Sequence, residues 1–268
     1  MKTALVFLTQ KPHINTITFA NELVRDLSFD TFIIADEEEQ ATKSDSVKIE
    51  YVSDDICLAN GYFGCNLSGV ETHIRKKVIA WDKFCYLFCE KYKDKYDFIW
   101  VFEEDVFIPY TASVLNLNEA YNHADLVVGN NWKNETKQMD WHWPAIYNID
   151  KKGPYHNSMV SACGISRKVM KEVRKFKEEN GQLYHHEAMF NTLAMKAELK
   201  VLEVFELLSI VWKGEWGNNE FLLLPDNLFH PVKDIDKHYL MRYKLSESIF
   251  KGEEPTENNL PDFIKTHM

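Results

Sequence analysis

The sequence predicts an α/β protein built on a wound, mostly parallel sheet with helices on its flanks. Three observations carry that expectation. The chain opens on a continuous apolar run, Ala4-Leu5-Val6-Phe7-Leu8; a helical repeat and a second run, Thr31-Phe32-Ile33-Ile34-Ala35-Asp36, follow; and a third, Phe98-Ile99-Trp100-Val101-Phe102, runs straight into acids. Unbroken apolar runs mark strands buried on both faces, as the strands of parallel sheets are. A strand–helix–strand opening begins a wound sheet, whose ligands sit beyond the carboxyl ends of the strands.

The elements follow in order. Residues 9–15, with Gln10, Pro12 and His13, form the loop after the first strand, and Phe19, Ala20, Leu23, Val24 and Leu27 recur at helical spacing. A long helix is expected from about Glu71 to Lys93, with Ile74, Val78, Trp81, Cys85, Phe88 and Tyr92 on one stripe. Leu126–Gly129 reads as a short strand. Residues 130–155, rich in Trp132, Trp141, Trp143, Pro144, Tyr147 and Tyr155, read as a long irregular loop of the functional kind. Met159–Ile165 is strand-like, a helix through Val169, Met170, Val173 and Phe176 closes at Asn180-Gly181, and another spans about His186 to Lys196. Residues 201–210 supply one or two strands. Beyond Lys237 the chain turns polar and reads as a docking tail or a partly disordered end. No repeat or linker divides it. The organisation expected is one domain over 1–268, with a first half to about 110, a second from about 111 to 236 and a tail from 237.

Composition limits the function classes. The chain has 268 residues, 45% of them hydrophobic, enough for a full core. Its 31 Lys and Arg against 41 Asp and Glu leave a net charge of −10, which opposes nucleic-acid binding, and Arg75-Lys76-Lys77 is too short to form a basic patch. No apolar run approaches the roughly 18–20 residues of a bilayer span. Gln10-Lys11-Pro12-His13 ends the first run well short of a signal-peptide core. Five cysteines, odd in number and without Cys-x-x-Cys spacing, suit reduced thiols. The expectation is a soluble, cytoplasmic protein, in which sequons at Asn66 and Asn134 carry no glycan.

Glu103 and Asp105 are the most informative residues. On a strand, positions i and i+2 share a face, so both carboxylates emerge together after five apolar residues. Acids there oppose burial and need a partner; a divalent cation is the economical one, because hard oxygen ligands suit Mg²⁺ or Mn²⁺ and the ion can bridge to a diphosphate. Glu104 points the other way and reads as structural. Taken singly, Glu103 and Asp105 also fit solvated turn residues, and Trp81 and Trp100 fit core packing.

Residues 96–106, Tyr-Asp-Phe-Ile-Trp-Val-Phe-Glu-Glu-Asp-Val, resemble the Asp-x-Asp segment of glycosyltransferases with the GT-A fold. Three further segments follow in that family's order over roughly residues 3–235. Val160–Arg167 resembles the glycine-containing loop facing the donor sugar, with Gly164 permitting close approach and Ser166 equally readable as a helix N-cap. Tyr184–Phe190 resembles the acidic motif at the acceptor site. Its form here is His186-Glu187-Ala188 rather than acid–acid, and a His185–His186 zinc site is disfavoured by the divergence of adjacent helix residues. Asn227–Lys233 resembles the late histidine segment that completes metal and diphosphate binding.

The resemblance implies a GT-A-like, Rossmann-like mixed sheet and a Mn²⁺- or Mg²⁺-dependent transfer of a sugar from a nucleotide-diphosphate donor, a UDP-sugar first, to a glycan hydroxyl. It implies Glu103, Asp105 and His230 at the metal, and Thr9, Asp36, Glu103, Gly164 and Lys233 around the nucleotide sugar. Glu187 would be the base if configuration inverts, and would position substrate if it is retained. Trp132, Trp141 and Trp143, joined by Trp212 and Trp216, would form the acceptor platform. Two rivals stand. A sugar nucleotidyltransferase normally needs a Gly-rich basic phosphate loop, which Thr9-Gln10-Lys11-Pro12 lacks; a non-catalytic carbohydrate-binding module would explain the aromatics but not the strand-end acids.

Overall fold

In the computed structural model, which describes residues 1–27, 29–37, 44, 46–66, 78–255 and 262–266, the opening run is strand β1 (Thr3–Thr9). Helix α1 (Ile14–Leu27), β2 (Asp30–Ala35), β3 (Lys48–Tyr51), α2 (Asp54–Ala59) and α3 (Ala80–Tyr86) follow. Then come β4 (Phe98–Glu103), α4 (Thr111–Tyr121), β5 (Leu126–Val128), β6 (Trp132–Lys133) and α5 (Trp143–Ile149). The second half adds β7 (His156–Asn157), β8 (Ala162–Ser166), α6 (Arg167–Asn180), α7 (His186–Lys196), β9 (Val201–Glu203), α8 (Asn218–Leu223), α9 (His238–Lys251) and α10 (Asp262–Lys265).

Seven strands make one sheet in the order β3-β2-β1-β4-β8-β5-β9. All neighbours run parallel except β8, which is antiparallel to both β4 and β5. This is the mixed, mostly parallel sheet flanked by helices that the sequence predicts. Alternate residues divide between two cores. Val6, Phe32, Ile99, Val101 and Cys163 face α3, α6 and α7, whereas Leu5, Phe7, Ile33, Phe98, Trp100 and Phe102 face α1 and α4. Both faces are covered, so the strands read as unbroken apolar runs. Among the described residues no helix is long and apolar enough to cross a membrane, and all five cysteines are buried and unbridged.

Local chemistry sets the boundaries. The Ser166 hydroxyl accepts from Val169 N as the cap of α6, which ends at Gly181 in the left-handed region, φ 72°. Asp82 accepts from the amides of Ile79 and Cys65, both at 2.9 Å, and so starts α3 and ties the preceding loop to it.

Several expectations need correction. The helix expected from Glu71 begins at Ala80 and ends in a π turn, Leu87–Lys91; Ile74 and the cluster at 75–77 lie outside the described residues. Residues 130–155 hold β6 and α5, the latter opened by Pro144, whose missing N–H costs nothing in a first helical turn. Residues 201–210 supply one strand, within the one or two expected, and then a 3₁₀ turn, Phe205–Leu207. Of the two alternatives for the chain beyond Lys237, docking agrees with α9, whose Leu245 is buried with Phe107, Phe221 and Phe229 in a third core cluster. Strand β3 and helices α2, α4 and α8 carry too little apolar periodicity to have been read from the sequence.

Gly164 also differs from its expected role. It lies mid-strand in β8 opposite Trp100 and Val127. A Cβ there would come within 2.6 Å of the Phe98 ring and 3.0 Å of Trp100. Its missing side chain makes room for two fully buried aromatic rings, not for a sugar.

Candidate functional site

The carboxyl edge of the sheet gathers the candidate residues. In register, Leu8 of β1 faces Glu103 of β4 and Thr9 faces Ala35 of β2. The Asp36 amide donates to Thr9 O at 2.9 Å. Thr9, Asp36 and Glu103 are thereby fixed on one edge by backbone pairing alone.

His230 reaches that edge by a second pairing. Phe107 and Phe229 exchange both backbone hydrogen bonds, at 2.8 and 3.0 Å, and Val232 N donates to Asp105 O at 2.8 Å. The segment carrying His230 is thus stitched to the turn after β4. Glu103, Asp105 and His230 each offer a ligand atom, and these atoms lie within 4.8 Å of one another. His230 Nε2 stands 3.4 Å from Asp105 Oδ1 and 3.9 Å from Glu103 Oε2. On the far side of the ring, Nδ1 bonds to Val211 O at 2.8 Å. Held by Val211, the ring directs Nε2 at the two carboxylates, and loss of the Nε2 proton would free the lone pair that a metal-ligating imidazole requires.

The electrostatics suit a cation. Burial alone would raise the Asp105 carboxyl, but the hydrogen bond and charge of His230 and the Lys233 ammonium outweigh it and hold it down at about 2. Burial alone would lower His230; the Asp105 hydrogen bond and charge overcome that and raise it. Lys233 pairs with Asp105 from the solvent side, its side chain 75% exposed. Two carboxylates and one imidazole nitrogen, partly buried, form a donor set that Mn²⁺ or Mg²⁺ fits, the ion taking the place of the Nε2 proton and of the Lys233 ammonium at Asp105. Glu104 takes the structural part expected of it, accepting from the Thr9 hydroxyl.

Glu187 stands in the first turn of α7. Burial raises its carboxyl above the usual glutamate range, with the Glu103 charge adding to the effect and His186 opposing it. His185 Nε2 lies 3.6 Å from Glu187 Oε2. The Nδ1 atoms of His185 and His186 both contact Cys65 O, at 3.0 and 2.8 Å, which turns the Nε2 atoms toward the site.

The tryptophans separate. Trp141 is 40% exposed and lies edge-on at 5.1 Å to His185, two residues before Glu187. Trp132 is exposed, and its neighbour Asn131 accepts from Asn191, one turn along α7 from Glu187. Trp143 is not a platform residue: it is buried against Tyr147 and Tyr155. Trp216 donates to His230 O at 3.0 Å and so supports the histidine segment, while Trp212 is exposed.

Two site residues escaped the sequence reading. Trp81 is buried as expected, yet its Nε1 donates to Glu103 Oε1 at 2.7 Å. His186 stacks on Trp81 at 4.8 Å, and its Nε2 is 3.9 Å from Glu103 Oε1. Nothing in the spacing of residues 81, 103 and 186 announces that meeting.

No family model matches the sequence, and no curated protein does. Among solved structures, a chain from Desulfovibrio desulfuricans G20, provisionally named a nucleotide-diphospho-sugar transferase, aligns over 91% of this chain and 97% of its own. Its identity is 10% and the TM-score 0.38. A likeness that slight carries nothing to the site, whose reading rests on its own geometry.

Proposed function

We propose that this protein is a metal-dependent glycosyltransferase that moves a sugar from a nucleotide-diphosphate donor, a UDP-sugar first, to a glycan hydroxyl. The observation that carries the reading is the convergence of Glu103, Asp105 and His230 within 4.8 Å at the carboxyl edge of the sheet. Glu187 lies in the same electrostatic neighbourhood.

In this reading Glu103, Asp105 and His230 hold Mn²⁺ or Mg²⁺, and the bound ion supplies positive charge to the leaving diphosphate. Lys233 exchanges Asp105 for a phosphate oxygen, which its exposed, flexible stem permits. Thr9 and Asp36 border the nucleoside. Glu187, ionised, accepts the proton of the acceptor hydroxyl as the new C–O bond forms and the sugar–phosphate bond breaks, inverting configuration. Trp141 and Trp132 offer faces for the acceptor sugar.

The test is incubation with Mn²⁺ and a panel of nucleotide sugars, measuring nucleotide release and thermal stabilisation. Stabilisation by UDP with Mn²⁺ that vanishes in Asp105→Ala is the expected result. Indifference to every nucleotide with binding to free glycans would replace the reading with a carbohydrate-binding module, and pyrophosphate release from a nucleoside triphosphate and a sugar phosphate with a nucleotidyltransferase.

A further inference from the structure

We propose that Trp81 is a positioning residue for the cation site: its indole N–H fixes the Glu103 carboxylate so that only Oε2 is presented to the ion. The inference rests on the metal reading above and adds to it a residue from another element.

A glutamate at a strand end has three side-chain torsions, and its terminal torsion is broad. Left alone, Glu103 could swing toward solvent or turn either oxygen inward; its side chain is 27% exposed. The indole removes that freedom. Trp81 Nε1 donates to Oε1 at 2.7 Å, which leaves Oε2 on the side of His230. An indole nitrogen is a donor only, so it cannot compete for the cation as a second ligand.

The indole is itself held. Trp81 is 2% exposed. It stacks on His186 at 4.8 Å with 20° between planes, and packs against Phe84 at 5.8 Å and Phe190 at 5.6 Å. Ring neighbours thus come from α3 and α7, and the Asp82 hydrogen bonds anchor the start of α3. A donor locked by packing and aimed at one oxygen of a ligand is how outer partners orient a metal site.

Mn²⁺ affinity, read from free Mn²⁺ by electron paramagnetic resonance on the full chain with UDP present, tests this. Wild type, Asp105→Ala and Trp81→Phe are compared, the last keeping a ring for His186 while losing the N–H. The expected result is binding by wild type, none by Asp105→Ala, and affinity about 10- to 100-fold weaker in Trp81→Phe, the range for outer-partner losses. Wild-type affinity in Trp81→Phe, whatever its melting temperature, overturns the positioning role and leaves the metal reading standing. Failure of the wild type to bind Mn²⁺ sinks the metal reading and this inference with it. A measurement on unmutated protein removes dependence on the variant's folding: the ¹⁵N-indole proton of Trp81 should shift along the Mg²⁺ binding curve, and a stationary resonance overturns the proposal.

Discussion

Gly164→Ala separates packing from ligand contact at a position where sequence and structure assign different roles. In a strand interior, alanine ordinarily improves on glycine by about 0.5–1 kcal/mol, through lower chain entropy. The structure reverses that sign. The new Cβ would sit 2.6 Å from Phe98 Cζ and 3.0 Å from Trp100 Cζ3. Neither ring can retreat, since both are fully buried, packed on each other at 5.5 Å and, through Trp100, on Phe102 at 6.5 Å. Overpacking a fixed core costs about 1–3 kcal/mol, and two ring clashes place this substitution in the upper part of that range. For a chain of this size that lowers the melting temperature by about 5–10 °C. Urea unfolding followed by circular dichroism measures it, with nucleotide affinity measured on the folded fraction. Phe98→Leu in the same chain should recover part of the loss, because residues in contact do not add. An unchanged urea midpoint combined with lost donor binding would refute the packing argument and restore Gly164 to the sugar pocket.

Glu187→Gln should lose turnover by about 10²- to 10⁴-fold while still binding donor; full activity would remove it as the base. Because burial lifts the Glu187 carboxyl above 4.5, the acid limb of kcat/KM should lie above that value, with activity rising as pH rises through it. The same shift means the folded state holds this proton more tightly than the unfolded chain. The stability it contributes is present at low pH and lost as pH rises, so at neutral pH Glu187→Gln should unfold at higher urea than wild type. Trp141→Ala should raise the acceptor KM and spare nucleotide binding; the reverse pattern would move the acceptor elsewhere. Ser166→Ala removes the cap of α6 and should cost about 1 kcal/mol in urea unfolding, without effect on nucleotide affinity.

The sequence by itself determined the central strands, the helices α1, α6 and α7 and the placing of two acids at the carboxyl end of β4. Each of those rests on a local signal: an unbroken apolar run, a 3.6-residue repeat, a serine cap or a closing glycine. Glu103 and Asp105 were legible for the same reason, since acids directly after a buried run have no core to join. The resemblance put His230 with those acids; the tertiary structure alone decided how it reaches them and what else they meet. His230 is 125 residues from Asp105 and arrives through backbone pairing with Phe107, which no spacing encodes. Trp81 and Trp143 show the same limit from opposite directions. A buried indole in a helix and an aromatic in a Trp-rich stretch are both ordinary core material by composition; only their neighbours make one a donor to Glu103 and the other a packing partner of Tyr147 and Tyr155. Gly164 completes the contrast, because the absence of a side chain says that something comes close without saying whether it is a ligand or two aromatic rings.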